Sequence, residues 1–211
     1  GWQATSAISS RLFFTYVDNK QQLPGALSRA EVEADPDQAS ATALGGNFQK
    51  NVETWRLASK TTWAINASSS LEFGLSYEAQ SLYHPIVDQV LVDFDGPGPQ
   101  TPVEVFSLLV DTDHRDLGTM LRYHLQLGAH DVVAGVHFGD GSVEGGNFRN
   151  LRGRRNGLRE RVDNDSDSLA AFVVDRWRFA EKWTLVYGAQ FVNAHRDVNT
   201  TDAVSGAVRN P

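Results

Sequence analysis

Apolar and polar residues alternate strictly over positions 71–80 of the chain. The odd positions carry Leu71, Phe73, Leu75, Tyr77 and Ala79, and the even positions carry Glu72, Gly74, Ser76, Glu78 and Gln80. Successive residues of a β-strand point to opposite faces, so this segment predicts a strand with one apolar and one polar face. Its length of about ten residues is what a tilted strand needs to cross the hydrocarbon core of a membrane. The pattern therefore favours a strand whose apolar face meets lipid and whose polar face meets an aqueous lumen.

The same alternation recurs along most of the chain. It predicts strands over residues 2–17, 52–65, 71–83, 117–127, 132–138, 169–177 and 183–193. A helical period of about 3.6 residues would spread charged residues around every side of these segments, so we do not assign them as helices. The predicted fold class is all-β, with antiparallel transmembrane β-barrel strands.

The connections between these segments alternate between short and long. The short ones are residues 66–70, 128–131 and 178–182, and the long, polar ones are residues 18–51, 84–116, 139–167 and 195–211. Several loops of that length are uncommon in a soluble domain. Transmembrane barrels, in contrast, combine short periplasmic turns with long extracellular loops. We therefore place the short turns at the periplasmic rim and the long loops outside the cell.

Aromatic residues cluster near both ends of the predicted strands. Trp63, Trp177 and Trp183 lie near the predicted turns, and Tyr16, Tyr83 and Phe138 lie near the predicted loops. Trp and Tyr prefer the boundary between bilayer and water, because an apolar ring carries a polar group. The alternation then assigns each side chain to a face. We expect Phe73, Leu121, Tyr187 and Phe191 to face lipid, and Glu72, Arg122, His124 and Gln190 to face the lumen.

Composition narrows the classes of function. The net charge of −7 gives no basic surface for phosphates, so we expect no nucleic-acid partner. The absence of cysteine excludes disulfides and thiolate metal sites. No apolar run approaches the roughly 18 residues of a transmembrane helix. The first residues lack the basic and apolar stretches of a signal peptide, so we expect a chain that is mature, truncated or cytosolic.

Motifs of catalysis and cofactor binding are missing from the sequence. There is no Gly-x-Ser-x-Gly elbow, phosphate loop, His-Glu-x-x-His motif or dinucleotide fingerprint, so we predict neither an enzyme nor a bound cofactor. Asp163, Asp165 and Asp167 are spaced like ligands of a calcium loop. Ser168 and Val174 stand where that motif needs Gly and Glu, so no metal site is predicted.

Residues 169–190 carry a more specific pattern. The hairpin has a small apolar stretch, Phe-Val, an acidic residue and Trp, then a short turn and Trp-x-Leu-x-x-Gly. The matching residues are Phe172, Val173, Asp175, Trp177, Trp183, Leu185 and Gly188. This resembles a barrel hairpin of the TonB-dependent outer-membrane receptors, although Gln190 stands where arginine is frequent in that family. Residues 145–165 are similar to the extracellular loop that precedes this hairpin in siderophore receptors.

The resemblance implies a barrel of about 22 strands around a plugged lumen. It also implies a plug domain, a TonB-engaging segment and a C-terminal aromatic residue. None of these is evident in the sequence, so residues 1–211 are expected to be a partial barrel domain, an interior part of a larger one. The implied function is TonB-coupled import of a ferric siderophore or similar scarce metal chelate across the bacterial outer membrane. Implied partners are the TonB system, the chelate, outer-membrane lipid and lipopolysaccharide. A passive porin-like channel and a soluble β-sandwich binding module remain alternatives.

Six arginines crowd one predicted extracellular loop. They are Arg149, Arg152, Arg154, Arg155, Arg159 and Arg161. A guanidinium group binds carboxylate, phosphate or catecholate oxygens through a planar fork of donors, so we predict that this cluster binds an anionic iron chelate. Contact with lipopolysaccharide phosphates, or simple solvation of a mobile loop, are alternatives for the same residues. His124 and His137 are expected to line a ligand path or to pack against a plug.

Overall fold

Nine antiparallel strands and two short helices make up the computed structural model, which describes residues 1–96 and 101–209. The elements are β1 Trp2–Gln3, β2 Ile8–Gln22, α1 Arg29–Ala34, α2 Ala41–Gly46, β3 Gln49–Asn66, β4 Ser69–Val92, β5 Val103–Leu127, β6 His130–Leu151, β7 Arg154–Ala180, β8 Trp183–Asp202 and β9 Val208–Arg209. Residues 97–100 of the predicted loop 84–116, and residues 210–211 of the predicted loop 195–211, lie outside the described residues. No helix in the described part of the chain is long and apolar enough to cross a lipid bilayer.

The strands form one sheet in chain order, from β1 to β9, with each strand antiparallel to the next. This confirms the predicted all-β, antiparallel class and all the predicted short turns. We call the end of the sheet with the turns at residues 67–68, 128–129 and 181–182 the turn end, and the opposite end the loop end. The prediction of one continuous strand over residues 2–17 is wrong, because this segment forms a hairpin of β1 and β2 in which Trp2 lies opposite Ser10. Thr5 Oγ1 accepts the N–H groups of Ala7 and Ile8 and so fixes the bend.

The predicted long loops are a larger error. Within the predicted loop 84–116, β4 continues to Val92 and β5 already begins at Val103. The predicted loop 139–167 is also mostly strand, because only Arg152 and Gly153 join β6 to β7. Of the connections whose residues are all described, the one between β2 and β3 keeps its predicted character, with the two helices inside it, whereas the predicted loop 195–211 is strand as far as Asp202. The physical reason is that a strand extension that does not separate an apolar phase from water needs no continuous apolar face. The strict alternation of residues 71–80 therefore disappears there, while the hydrogen-bonded ladder continues.

Register shows which side chains share a face. One row across the sheet contains Ser10, Thr61, Phe73, Leu121, Val136, Ala171 and Phe191. The adjacent row, on the other face, contains Ser9, Thr62, Glu72, Arg122, Gly135, Phe172 and Gln190. We call these the apolar face and the polar face. The predicted grouping of test residues into two faces agrees with this register.

The apolar face is not covered by any other layer of the described residues. Phe73 is 48% exposed, Leu121 45% and Phe191 63%. The few buried apolar side chains include Leu109 and Pro85, which lie in the extension towards the loop end. A soluble β-sandwich would bury one face of each sheet against the other. This single sheet with a bare apolar face therefore argues against the sandwich alternative.

Candidate functional site

All six predicted arginines lie in the hairpin formed by β6 and β7, not in a long loop. Arg149 lies in β6, Arg152 in the turn, and Arg154, Arg155, Arg159 and Arg161 in β7. Arg152 and Gly153 both have positive φ, of 51° and 81°. Two such residues in a two-residue turn match the twist of antiparallel strands, which explains why a Gly is needed here. The predicted loop is thus an ordered hairpin.

A bend separates the tip of this hairpin from the rest of the sheet. Gly145 has φ +141°, and a Cβ at this position would collide with the backbone of Asp111. The ladder between β6 and β7 also shifts register on both sides of Phe148. Both features change the direction of the strands. The hairpin therefore bends out of the plane of the sheet from Gly145 onward.

Asn150 fastens the bent tip to the neighbouring strands. Its side chain is fully buried, donates to the Val87 carbonyl oxygen at 3.0 Å and accepts from the Gly153 N–H at 2.9 Å. Its own N–H donates to Ser107 Oγ at 3.2 Å. Tyr83 Oη also donates to the Gly153 carbonyl at 2.8 Å. Since Tyr83 and Val87 belong to β4 and Ser107 to β5, the tip crosses β5 and rests on β4.

Two of the arginines are engaged inside the protein. Arg155 forms an ion pair with Asp111, and its guanidinium carbon lies 4.9 Å from the Phe148 ring centroid. Arg159 donates to the Ser107 carbonyl at 2.8 Å, and its guanidinium carbon lies 5.2 Å from the centroid of a second phenylalanine ring. Burial raises the pKa of Asp111 above its usual value, and the nearby Arg155 partly offsets that effect. These two side chains brace the hairpin.

The other four arginines are exposed. Within residues 1–96 and 101–209, the guanidinium groups of Arg149, Arg152, Arg154 and Arg161 form no hydrogen bond or salt bridge. Nearby carboxylates already have partners. Glu104 accepts from Ser107 Oγ at 2.6 Å, which lowers its pKa below the usual value, and Glu160 accepts from an asparagine side chain at 2.9 Å. The exposed guanidinium groups are therefore free to bind an external anion.

Register places this hairpin on the side of the apolar face. Tyr83, Asp111, Gly146 and Arg161 lie opposite one another in one row. Tyr83 is ten residues from Phe73 in the same uninterrupted ladder, so this row continues the apolar face towards the loop end. The tip rests against Tyr83 and pairs with Asp111, both of which are on that face. Sequence patterns alone predicted the cluster but not its side of the sheet.

The polar face holds a different set of charges. Lys60 Nζ lies 2.6 Å from Glu72, which is 3.9 Å from His124 Nε2. Arg122 Nε donates to His137 Nε2 at 3.1 Å. Both predicted lumen histidines thus lie beside charged neighbours on the polar face. Exposed cations of this face that form no ion pair within the described residues include Arg11, Lys50, Arg176 and Arg196. Each of these cations lies an even number of residues from a polar-face residue of the same strand, so the alternation in the sequence could have identified their face.

Asp175, the acidic residue of the family-like hairpin, joins three strands near the turn end. It accepts a hydrogen bond from Tyr187 Oη at 2.6 Å, and its Oδ2 lies 2.7 Å from His130 Nδ1. The His130 ring stacks on Trp177 at 5.6 Å between centroids. This network explains why an acidic residue and Trp occur together in that motif: the carboxylate orients side chains of both neighbouring strands.

The aspartates with calcium-like spacing lie on a strand. Asp163, Asp165 and Asp167 occupy alternate positions of β7, so neighbouring carboxylates are separated by about 6.6 Å along the strand. One Ca²⁺ ion needs its oxygen ligands at about 2.3–2.6 Å. Among the described residues, no group of three or more His, Asp or Glu side chains is arranged to hold a metal ion.

Several solved structures resemble this chain in fold. The unliganded ferric citrate transporter FecA has a TM-score of 0.74 and 14% identity over 98% of this chain and 29% of its own. FpvA of P. aeruginosa, bound to a ferric pyoverdine, has a TM-score of 0.63 and 12% identity over 99% of this chain and 30% of its own. The ferric-catecholate import receptor Fiu of E. coli K12 has a TM-score of 0.58 and 13% identity over 96% of this chain and 36% of its own.

A family assignment comes from the sequence. A comparison with curated proteins finds no match. The family described as TonB dependent receptor-like, beta-barrel, matches residues 1–211, which confirms the resemblance seen in the hairpin 169–190. The chain spans about a third of the length of the solved structures that it matches. With a family match over its whole length, the chain belongs to the β-barrel family of TonB-dependent receptors.

Proposed function

We propose that the parent protein is an outer-membrane receptor of a Gram-negative cell that imports a ferric siderophore or a similar scarce metal chelate by TonB-coupled transport. The whole-chain match to the receptor barrel family is the observation that carries this proposal. The similar structures support the cargo class, since they are named for ferric citrate, a ferric pyoverdine and ferric catecholates. The bare apolar face supplies a surface for lipid, and the opposite face is polar, as a wet lumen requires.

The proposal assigns this chain to one part of that receptor. Residues 1–211 would be a partial barrel domain, and the plug and remaining strands would belong to the rest of the parent polypeptide. Contact with the TonB system would pass through the plug. The chain itself would form barrel wall and extracellular hairpins, with no catalytic step and no resident cofactor.

Exposed cations suit an anionic cargo. On the polar face, Arg11, Lys50 and Arg196 would attract a chelate that enters the lumen, because opposite charges attract even where water screens them. We propose that the predicted arginine cluster divides in two. Arg149, Arg152, Arg154 and Arg161 would bind anionic groups, whereas Arg155 and Arg159 would position the hairpin. The sequence alone suggested a chelate as the anion bound by the hairpin, but the hairpin lies on the apolar side of the sheet, which favours an anion outside the lumen.

Uptake measurements test the proposal. Cells that express the full-length parent receptor would be given a panel of radioactive ferric chelates, in strains with and without a functional TonB system. We expect saturable uptake of at least one chelate that disappears without TonB. Uptake that is linear in concentration and independent of TonB would instead identify the passive porin-like channel. No uptake of any chelate, together with import of another nutrient, would refute the ferric cargo.

A further inference from the structure

The bent arginine hairpin lies outside the proposed lumen. We infer that its exposed arginines bind phosphate groups of lipopolysaccharide in the outer leaflet of the membrane. The inference rests on one part of the proposed function, namely that the apolar face meets lipid. It does not depend on which chelate is imported, or on TonB.

The exposed arginines lie on the apolar side of the sheet. Arg161 lies in the row with Tyr83 and Asp111, which continues the apolar face beyond Phe73 and Leu121. The tip of the hairpin is fastened to that same side by Tyr83 and by the Asp111–Arg155 ion pair. The exposed guanidinium groups are therefore next to the lipid-facing surface, at its extracellular border. A chelate inside the lumen would be separated from them by the sheet.

The backbone of the hairpin is held in place by contacts with neighbouring strands. Asn150 is fully buried and makes hydrogen bonds to β4, β5 and the turn. The Arg152 N–H also donates to Asp88 Oδ1 at 2.9 Å. A backbone held by these contacts loses little further conformational entropy when its side chains bind a ligand. The arginines are thus held on an ordered hairpin, whereas the sequence predicted a long loop.

Charges on this side of the sheet differ between the hairpin and the row below it. Asp113, Glu144 and Asp163 lie opposite one another in the next row towards the turn end, on the same face. These carboxylates would repel phosphates that approached them directly. The hairpin is where several exposed guanidinium groups lie together, and they offer paired donors to phosphate oxygens. The exposed arginines of the hairpin would therefore neutralise the phosphate groups of a glycolipid that packs against the apolar face.

The test uses the full-length receptor with three hairpin charges removed. The variant Arg152→Asn, Arg154→Gln, Arg161→Gln leaves Arg155 and Arg159 in place, and Asn tolerates the positive φ of position 152. The matched control, Arg11→Gln, Lys50→Gln, Arg196→Gln, removes the same charge from the polar face. Purified, delipidated receptor in detergent would be titrated with rough lipopolysaccharide and with the same lipid after enzymatic dephosphorylation. Each receptor's affinity for ferric citrate, a ferric pyoverdine and a ferric catecholate would be measured in parallel.

We expect the hairpin variant to bind phosphorylated lipopolysaccharide about tenfold more weakly, since each exposed charge contact contributes a factor of roughly two to five. Its affinity for dephosphorylated lipid and for ferric chelate should be unchanged, and the control should bind lipopolysaccharide like the unmodified receptor. Equal lipopolysaccharide affinity in the hairpin variant and the unmodified receptor would overturn the inference, as would an equal loss in the control. A fall in chelate affinity without a fall in lipopolysaccharide affinity would assign these arginines to the cargo. The uptake assay tests the proposed function independently, because none of these binding results depends on whether uptake requires TonB.

Discussion

Arginine at Leu121 should destabilise the full-length receptor far more than arginine at the adjacent Met120. The apolar stretch of β5 runs from Leu117 to Leu127. Its ten intervals, at about 3.4 Å each, extend roughly 34 Å along the strand. At a tilt of about 45° they span roughly 24 Å, the height of the apolar band of an outer-membrane barrel. Leu121 lies near the middle of this stretch, where a lipid-facing arginine costs about 2–4 kcal/mol.

Met120 provides the matched control for that prediction. It lies opposite Gly74 and His137 on the polar face, so an arginine there would extend into the proposed lumen and keep its hydration. We expect a change below about 1 kcal/mol at this position, as for most substitutions on wet surfaces. The assay is the free energy of unfolding of the full-length receptor in phospholipid vesicles, from reversible urea titrations. Equal losses at the two positions, or a larger loss at Met120, would refute the assignment of the faces.

Two further predictions concern the extension at the loop end. Asn150→Ala should leave the Val87 carbonyl and the Gly153 N–H without partners, at a local cost of about 1–3 kcal/mol for each buried group, and should accelerate hydrogen exchange across residues 146–158. If the exposed control Asn156→Ala accelerated hydrogen exchange over residues 146–158 as much as Asn150→Ala, the result would contradict the role of Asn150 in fastening the hairpin. Glu104→Gln should lower stability at neutral pH, because the Ser107 hydroxyl lowers the folded pKa of Glu104. That stabilisation is fully present when the pH is above 4.5, the ordinary pKa of a glutamate, and it disappears as the pH falls through the lowered pKa of Glu104 in the folded protein. The two proteins should converge in acid, and a difference in unfolding free energy that is constant with pH would exclude this effect.

The spanning part of the fold was predictable because a membrane imposes a pattern on the sequence. Lipid on one side and water on the other force a period of two, and a slip of one residue would exchange the faces. That is why the alternation at 71–80 and 117–127 identified both the strands and the residues that share a face. The short turns followed from the same pattern, since each ends one alternating run and begins the next.

The extensions were not predictable by the same reasoning. Residues 84–92 and 103–116 flank a Gly- and Pro-rich stretch at 96–99, and residues 103–116 carry charged side chains on both faces; composition of that kind is typical of loops. In the structure they continue β4 and β5, held by backbone pairing with their neighbours. Backbone hydrogen bonds carry no side-chain signature, so a strand exposed to water on both faces resembles a loop in its sequence. The hairpin at the first segment was missed for a related reason, because the turn around Thr5 is short and apolar residues flank it on both sides.

The arginine cluster shows what sequence and structure each contribute to a binding surface. Six arginines within a short stretch are a chemical signal that sequence alone carries, and it points to an anion. Which anion depends on the side of the sheet, and that is decided by contacts between distant residues, such as Asn150 with Val87 and Tyr83 with Gly153. A hairpin bent the other way would have presented the same guanidinium groups to the lumen. The bend at Gly145 and the fastening at Asn150 therefore determine the partner as much as the arginines do, and we expect changes at those two residues to redirect the charge without removing it.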